Sequence, residues 1–297
     1  GMLIQKRALG AGRLALRVHA HGAHGVKTHG QKGAQVNVAE LARGAGVGMD
    51  AADHAQPPLA AAQALADYRA AQGLRVGLAT FEDVCDLLAG GVRTPEAITK
   101  LLIRANATWE AAPWLVVLAG NGHYDYLGRS ATKADQLPPL MRPTQDGVCA
   151  ADGLLGDLDG DGLPDVAVGR LPAQTADELA AMIAKIETYE AAFGSDWENQ
   201  LAFVADATDS GNDFAAANAR LEALVAAPHA VAERIQLYET TPATAAERLA
   251  ACFRRGAGFV HFTGHGGVET LGAADLLDAT GVASLGNAAR PTVLTAL

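Results

Sequence analysis

The sequence predicts an α/β fold, a mostly parallel sheet sandwiched by helices and preceded by a short N-terminal lead-in segment. Three observations carry that expectation. From Pro57 onward, short apolar runs alternate with longer segments whose apolar residues recur at helical spacing. One run, Trp114-Leu115-Val116-Val117-Leu118-Ala119, is apolar throughout, as in a strand covered on both faces. Repeated strand-helix-strand units connect by right-handed crossovers, so the strands lie parallel and active residues gather at their carboxyl ends.

Residues 1–56 stand apart. Leu14, Leu16, Val18 and Ala20 alternate with Arg and His there, the pattern of a half-exposed strand. His19, His21, His24 and His29 invite a zinc reading but match no closed ligand motif, and the interleaved Gly22, Gly25, Gly30 and Gly33 favour a solvated loop. From there the pattern predicts a helix over 58–72, a strand over 74–79 and a helix over 81–88. Thr94-Pro95-Glu96 opens the next helix with a capping residue, a proline in the first turn and an acid near the positive end of the helix dipole. That helix runs to about residue 112 and delivers the chain to the strand at 114–119. Further strands are expected at 165–168, 201–205, 231–238 and 258–263, separated by helices at 175–193, 212–226 and 243–255. After a short helical segment, a last apolar strand begins at Pro291.

Composition narrows the function classes. The 297 residues suffice to bury a core, and the balance of 23 basic against 33 acidic residues argues against a nucleic-acid surface. No apolar run approaches the ~18 residues of a membrane span, and the first seven residues lack the apolar stretch of a signal peptide. The three cysteines, Cys85, Cys149 and Cys252, form no Cys-x-x-Cys and no even framework. Cys85 and Cys252 fall on predicted helices and read as small buried hydrophobes, while Cys149 follows a loop and is the least constrained.

The candidate site sits where Phe259-Val260-His261-Phe262 breaks off into Thr263-Gly264-His265-Gly266-Gly267. Small residues let the backbone turn sharply there and expose one imidazole, whereas His261 reads as a core or edge histidine within the strand. A histidine at the end of one parallel strand and a nucleophile at the end of the next can meet within hydrogen-bond reach. The second strand is present, at 291–297, and holds no nucleophile. A loop leaving the predicted strand at 201–205 carries Asp206 and Asp213, the latter positioned as an ordinary helix cap. A metal candidate lies in Asp157-Leu158-Asp159-Gly160-Asp161-Gly162-Leu163-Pro164-Asp165. Its alternating carboxylates Asp157, Asp159, Asp161 and Asp165, with glycine at the sixth position, form a loop able to wrap calcium in oxygen ligands, although Val168 stands where an EF-hand has its bidentate Glu. Such loops also occur in propeller blades, but a propeller needs several copies and the chain has one.

Several blocks, in order, resemble the gingipain-type cysteine peptidase family. They are Ala66-Asp67-Tyr68-Arg69-Ala70-Ala71-Gln72-Gly73-Leu74, Arg93-Thr94-Pro95-Glu96-Ala97-Ile98, Gly120-Asn121-Gly122-His123-Tyr124-Asp125-Tyr126, the stretch from Asp161 to Pro172, and the Gly264-His265-Gly266 turn. The resemblance covers 57–297; Asn121 departs from it, since an Asp is common at that turn. It implies a caspase-like three-layer α/β/α domain that hydrolyses polypeptide substrates through a Cys/His dyad without a catalytic cofactor. By the same resemblance His265 is the acid/base and Gly266 lends its N–H to the oxyanion hole. An acid near Asp206 lies beside the histidine, and one near Asp213 lines the primary specificity pocket for a basic residue. The cysteine is expected one or two positions beyond Leu297, which would leave this chain inactive, and the family implies a secreted or cell-surface location. The competing expectation is a catalytically degenerate, calcium-dependent binding or secretion-associated module.

Overall fold

The computed structural model describes residues 57–125, 137–145, 147–192, 194–225, 230–236, 240–267, 269–272 and 275–297. The lead-in segment with its histidines therefore lies outside the described residues, as do Tyr126 and positions 193, 226, 237 and 238 at the ends of expected elements. The chain divides into two compact units, Gly1–Met182 and Ile183–Leu297.

In the first unit, helix α1 spans Pro57–Ala71, α2 Phe81–Ala89 and α3 Glu96–Thr108. The Thr80 side chain caps α2 by accepting the Asp83 N–H, and Gly90 ends it in a left-handed conformation at φ 62° that a β-carbon would strain. Thr94 does not cap α3; its hydroxyl donates to the Glu96 carboxylate, and Pro95 occupies the cap position with helical dihedrals. The helix stops at Thr108 rather than near 112 because Trp109 turns extended. Strand β1, Leu115–Ala119, pairs in parallel with β4, Ala167–Leu171. The core joins Phe81, Val84 and Cys85 of α2 to Ala97, Ile98 and Leu102 of α3, with Leu118, Leu155 and Val166.

Three further expectations fail in this unit. The segment 74–79 forms no strand: its residues alternate between half-buried and exposed, but no ladder partner lies alongside among the described residues. Alternation sets exposure and leaves pairing open. In β1, Leu118 is 4% exposed but Val117 is 44% exposed, so this strand is not covered on both faces. Strand β4 begins two residues late because the Asp165 carboxylate is occupied in the preceding turn, accepting the Leu158 N–H. The antiparallel hairpin of β2, Met141–Thr144, and β3, Gly147–Ala150, was not foreseen, its strands being too short to show a period. Cys149 is exposed on β3.

Helix α4, Ala176–Ala191, runs through the point of division. In the second unit four parallel strands lie in the order β10-β7-β5-β6, namely Val293–Ala296, Phe259–Thr263, Gln200–Ala205 and Ala230–Gln236. Helix α5, Phe214–Val225, follows β5, and α6, Pro242–Arg255, follows β6. The Thr241 side chain caps α6 by accepting the Thr244 N–H. Val204, Ile235, Leu249 and Val260 are fully buried and, with Cys252, Phe253, Phe262, Leu276 and Leu285, form the core. Burial pushes the Cys252 thiol up from its ordinary value, as it does Cys85, so both cysteines behave as the apolar residues expected. After β7 the chain forms a small hairpin, β8 at Thr270–Leu271 and β9 at Leu277–Asp278, then the short helix α7, Ala279–Ala283, and returns as β10.

Candidate active site

The carboxyl ends of β5, β7 and β10 meet on one edge of the second unit, and the candidate residues lie there. Gly264 leaves β7 against β5 so closely that a β-carbon would sit 2.3 Å from the Asp206 β-carbon and 2.7 Å from the Phe262 ring. Only glycine fits this approach. Asp206 is 1% exposed; its Oδ1 accepts the Ala207 N–H at 2.8 Å and its Oδ2 the backbone N–H of His265 at 3.1 Å. Asp206 thus holds the histidine's backbone from behind and, at this burial, presents almost no surface to a substrate.

The His265 ring projects outward. Its Nε2 lies 2.7 Å from Asp209 Oδ2, and the Phe214 ring stands edge-on at 5.3 Å and 86°. The Asp209 carboxylate also accepts the N–H groups of Gly211 at 2.7 Å and Asn212 at 2.8 Å. Those bonds, foremost that of Gly211 and then that of His265, hold its carboxyl well below the usual carboxylate range. An ionised carboxylate only accepts, so Nε2 carries the proton and Nδ1 is the ring nitrogen left for chemistry. Asp209 was missed from the sequence, where Asp-x-x-Asn reads as a local turn. Asp213 Oδ1 caps α5 by accepting the Ala216 N–H at 2.9 Å, the ordinary role its position predicted.

Gly266 bridges to Leu271 in antiparallel fashion, flanked by bonds from Gly267 N–H to Thr270 O and from Gly272 N–H to His265 O. In this pattern Gly266 is the non-hydrogen-bonded partner, so its own N–H points away from the hairpin. It is exposed beside His265. A β-carbon there would meet its nearest heavy atom, Thr270 O, only at 3.5 Å, so the hairpin itself does not demand glycine.

In the first unit, ligand oxygens of Asp157, Asp159 and Asp165 lie within 4.8 Å of one another. Asp161 does not join them; its Oδ1 accepts the Leu163 N–H at 2.8 Å. Asp157 accepts Gly160 N–H on Oδ1 and Gly162 N–H on Oδ2, which shapes the loop while carboxylate lone pairs remain. A three-carboxylate set suits a hard cation, with carbonyls and water as further ligands.

The family model of peptidase family C25 matches residues 54–297. Among solved structures, the Arg-specific cysteine proteinase gingipain R aligns with a TM-score of 0.60 and 18% identity over 78% of this chain and 50% of its own. A second structure, described as a protease, aligns with a TM-score of 0.57 and 18% identity over 81% and 50%. No curated protein matches. The chain spans about half the length, 50%, of each of the two solved structures it matches. At this identity the likeness establishes the fold, the caspase-like α/β architecture. The family match covers both units and runs through the histidine turn, and by it the chain belongs to peptidase family C25, the gingipain-type cysteine peptidases.

Proposed function

We propose that this chain is the histidine-bearing domain of a cysteine endopeptidase whose thiol follows Leu297. The supporting observation is the pairing of β10 with β7. Thr295 and Ala296 face His261 and Phe262 in parallel register, Leu297 N–H donates to Phe262 O at 3.0 Å, and Gly264 N–H donates to Leu297 O at 3.1 Å. A cysteine one or two residues further on would emerge beside His265. His265 Nδ1 would take its proton, and the thiolate sulfur would bond to the scissile carbonyl carbon. The carbonyl electron pair moves onto oxygen, where the Gly266 N–H stabilises it. As the intermediate collapses, the carbon–nitrogen bond breaks and the imidazolium gives its proton to the departing amine. Water then attacks the acyl-enzyme, losing a proton to Nδ1, and the thiol leaves with that proton. Asp209 keeps the ring in the required tautomer throughout.

Polypeptides are the substrate class, at an extracellular or surface location in keeping with the family, and Asp213 is the candidate acid for a basic residue before the cut. A second reading, a catalytically degenerate and calcium-dependent binding module, draws on the Asp157 loop. The test is peptide hydrolysis by this chain and by one extended through the next codons of its gene. Activity in the extended protein alone, lost in His265→Ala, bears the proposal out. Activity of the 297-residue protein that is lost in His265→Ala overturns the placement of the nucleophile, and a gene without cysteine in those codons favours the binding module.

A further inference from the structure

Among the described residues, the buried polar side chains are Asp206, Asn218, His261 and Thr263, and all four belong to the second unit. Asp206 serves the histidine turn directly. The other three form a chain of hydrogen bonds that the chemistry so far leaves without a role. Asn218 Nδ2 lies 2.9 Å from Val204 O, Thr263 Oγ1 lies 2.6 Å from Asn218 Oδ1, His261 Nε2 lies 3.0 Å from Thr263 Oγ1, and His261 Nδ1 lies 2.7 Å from Thr295 Oγ1.

Every donor in this chain follows from its one end that can only accept. Val204 O is a carbonyl, so Asn218 turns its NH2 toward it and its Oδ1 toward Thr263. Thr263 then donates its only hydroxyl proton to Oδ1 and must accept from His261, which puts the ring proton on Nε2. Nδ1 is left an acceptor, and Thr295 donates to it. Burial pushes the His261 imidazole down from its ordinary value, in keeping with a neutral ring that can accept at Nδ1.

The elements so joined are those that carry the site. Val204 lies on β5, which leads to Asp206 and Asp209; Asn218 lies on α5, one turn after Phe214, whose ring meets His265. Thr263 and His261 lie on β7, and Thr295 on β10. We infer that this one-directional chain is a positioning device, with His261 and Thr295 fixing where β10 stands against β7 and hence where the residue after Leu297 faces His265. The inference rests on the peptidase reading for its purpose, but not for its geometry. Among the described residues β10 pairs with β7 alone and has no fully buried face, so its apolar pattern specifies register weakly; a side-chain bond between register partners Thr295 and His261 permits one alignment.

The experiment uses the 297-residue protein and two magnetic-resonance measurements at pH 7. Long-range nitrogen–proton correlation of the His261 ring reports its tautomer, and the expected result is a single Nε2–H form. Amide exchange of Gly264 and Leu297 reports the docking of β10; it should speed up at least about tenfold in Thr295→Val and return to the original rate in Thr295→Ser, while core amides of Val204 and Val260 keep their protection. An Nδ1–H tautomer, or unchanged exchange at Gly264 and Leu297 in Thr295→Val, overturns the inference. Were Thr295→Val to unfold, the tautomer of the original protein still decides. Neither readout involves peptide hydrolysis, so failure of the peptidase reading and failure of this one remain separate results.

Discussion

The two acidic loops, Asp157–Asp165 and Asp206–Asp213, are built alike and do different things. In both, carboxylates accept backbone N–H groups a few residues away and so draw the loop into tight turns. The first loop gathers its acids on one another, with oxygens of Asp157, Asp159 and Asp165 within 4.8 Å. The second sends its acids to another strand: Asp206 to the backbone of His265 and Asp209 to its ring. Carboxylates held together with free lone pairs can take up a cation, whereas acids directed at a histidine shape its orientation and its proton. Local turn chemistry makes either loop; the second takes its further partner, His265, from across the fold.

The largest test of that contrast is Asp206→Ala. It removes a buried carboxylate and leaves the part-buried N–H groups of Ala207 and His265 without their acceptor, and is expected to cost about 3 kcal/mol in denaturant unfolding. Asp159→Ala, exposed and without a cation, should cost far less. Equal losses would erase the distinction between the loops. Calcium sharpens it from the other side. At about a hundred times its dissociation constant, calcium should stabilise the protein by ~2.7 kcal/mol, and Asp157→Asn should remove most of the gain while His265→Ala leaves it intact. Calorimetry that records neither heat nor a thermal shift would take the metal away from the first loop. The smallest effect concerns Asp209. Its folded pKa is depressed, so its contribution is complete above the ordinary aspartate value of about 3.9 and is lost as pH falls through the lower folded value. Amide resonances of Gly211 and Asn212 should therefore show no carboxylate titration step in the ordinary aspartate range, that step falling below it. A step at about pH 4 would show the carboxylate to be unassisted.

How much of this was legible beforehand depended on the range of the interaction. The turn at His265 was visible because its cause is local: an apolar strand stops and small residues begin. Helix caps at Thr80 and Asp213 obey the same local chemistry, as did the burial of Cys85 and Cys252 on apolar helix faces. Asp209 was hidden because the residue that gives it meaning is 56 positions away, and no period links them. His261 was read correctly as a core histidine, yet Thr295, 34 positions on, could not be named as its partner. The segment 74–79 failed the opposite way, having the pattern of a strand and no neighbour to pair with. The hairpins β2–β3 and β8–β9 are too short for any periodic signal.

A ribosome delivers the strands of the second unit in the order β5, β6, β7, β10, while the sheet reads β10-β7-β5-β6. The first two are neighbours and can pair as soon as both have emerged; β7 then joins the far side of β5, and β10 closes outside it. When the turn at His265 leaves the ribosome, its anchor at Asp206 is already made and its anchor at Leu297 is still to come. The border that carries His265 is therefore the last part of the sheet to be completed. A nascent chain interrupted before β10 carries its histidine on an unfinished border strand, and the turn gains its second anchor only when synthesis has passed Leu297.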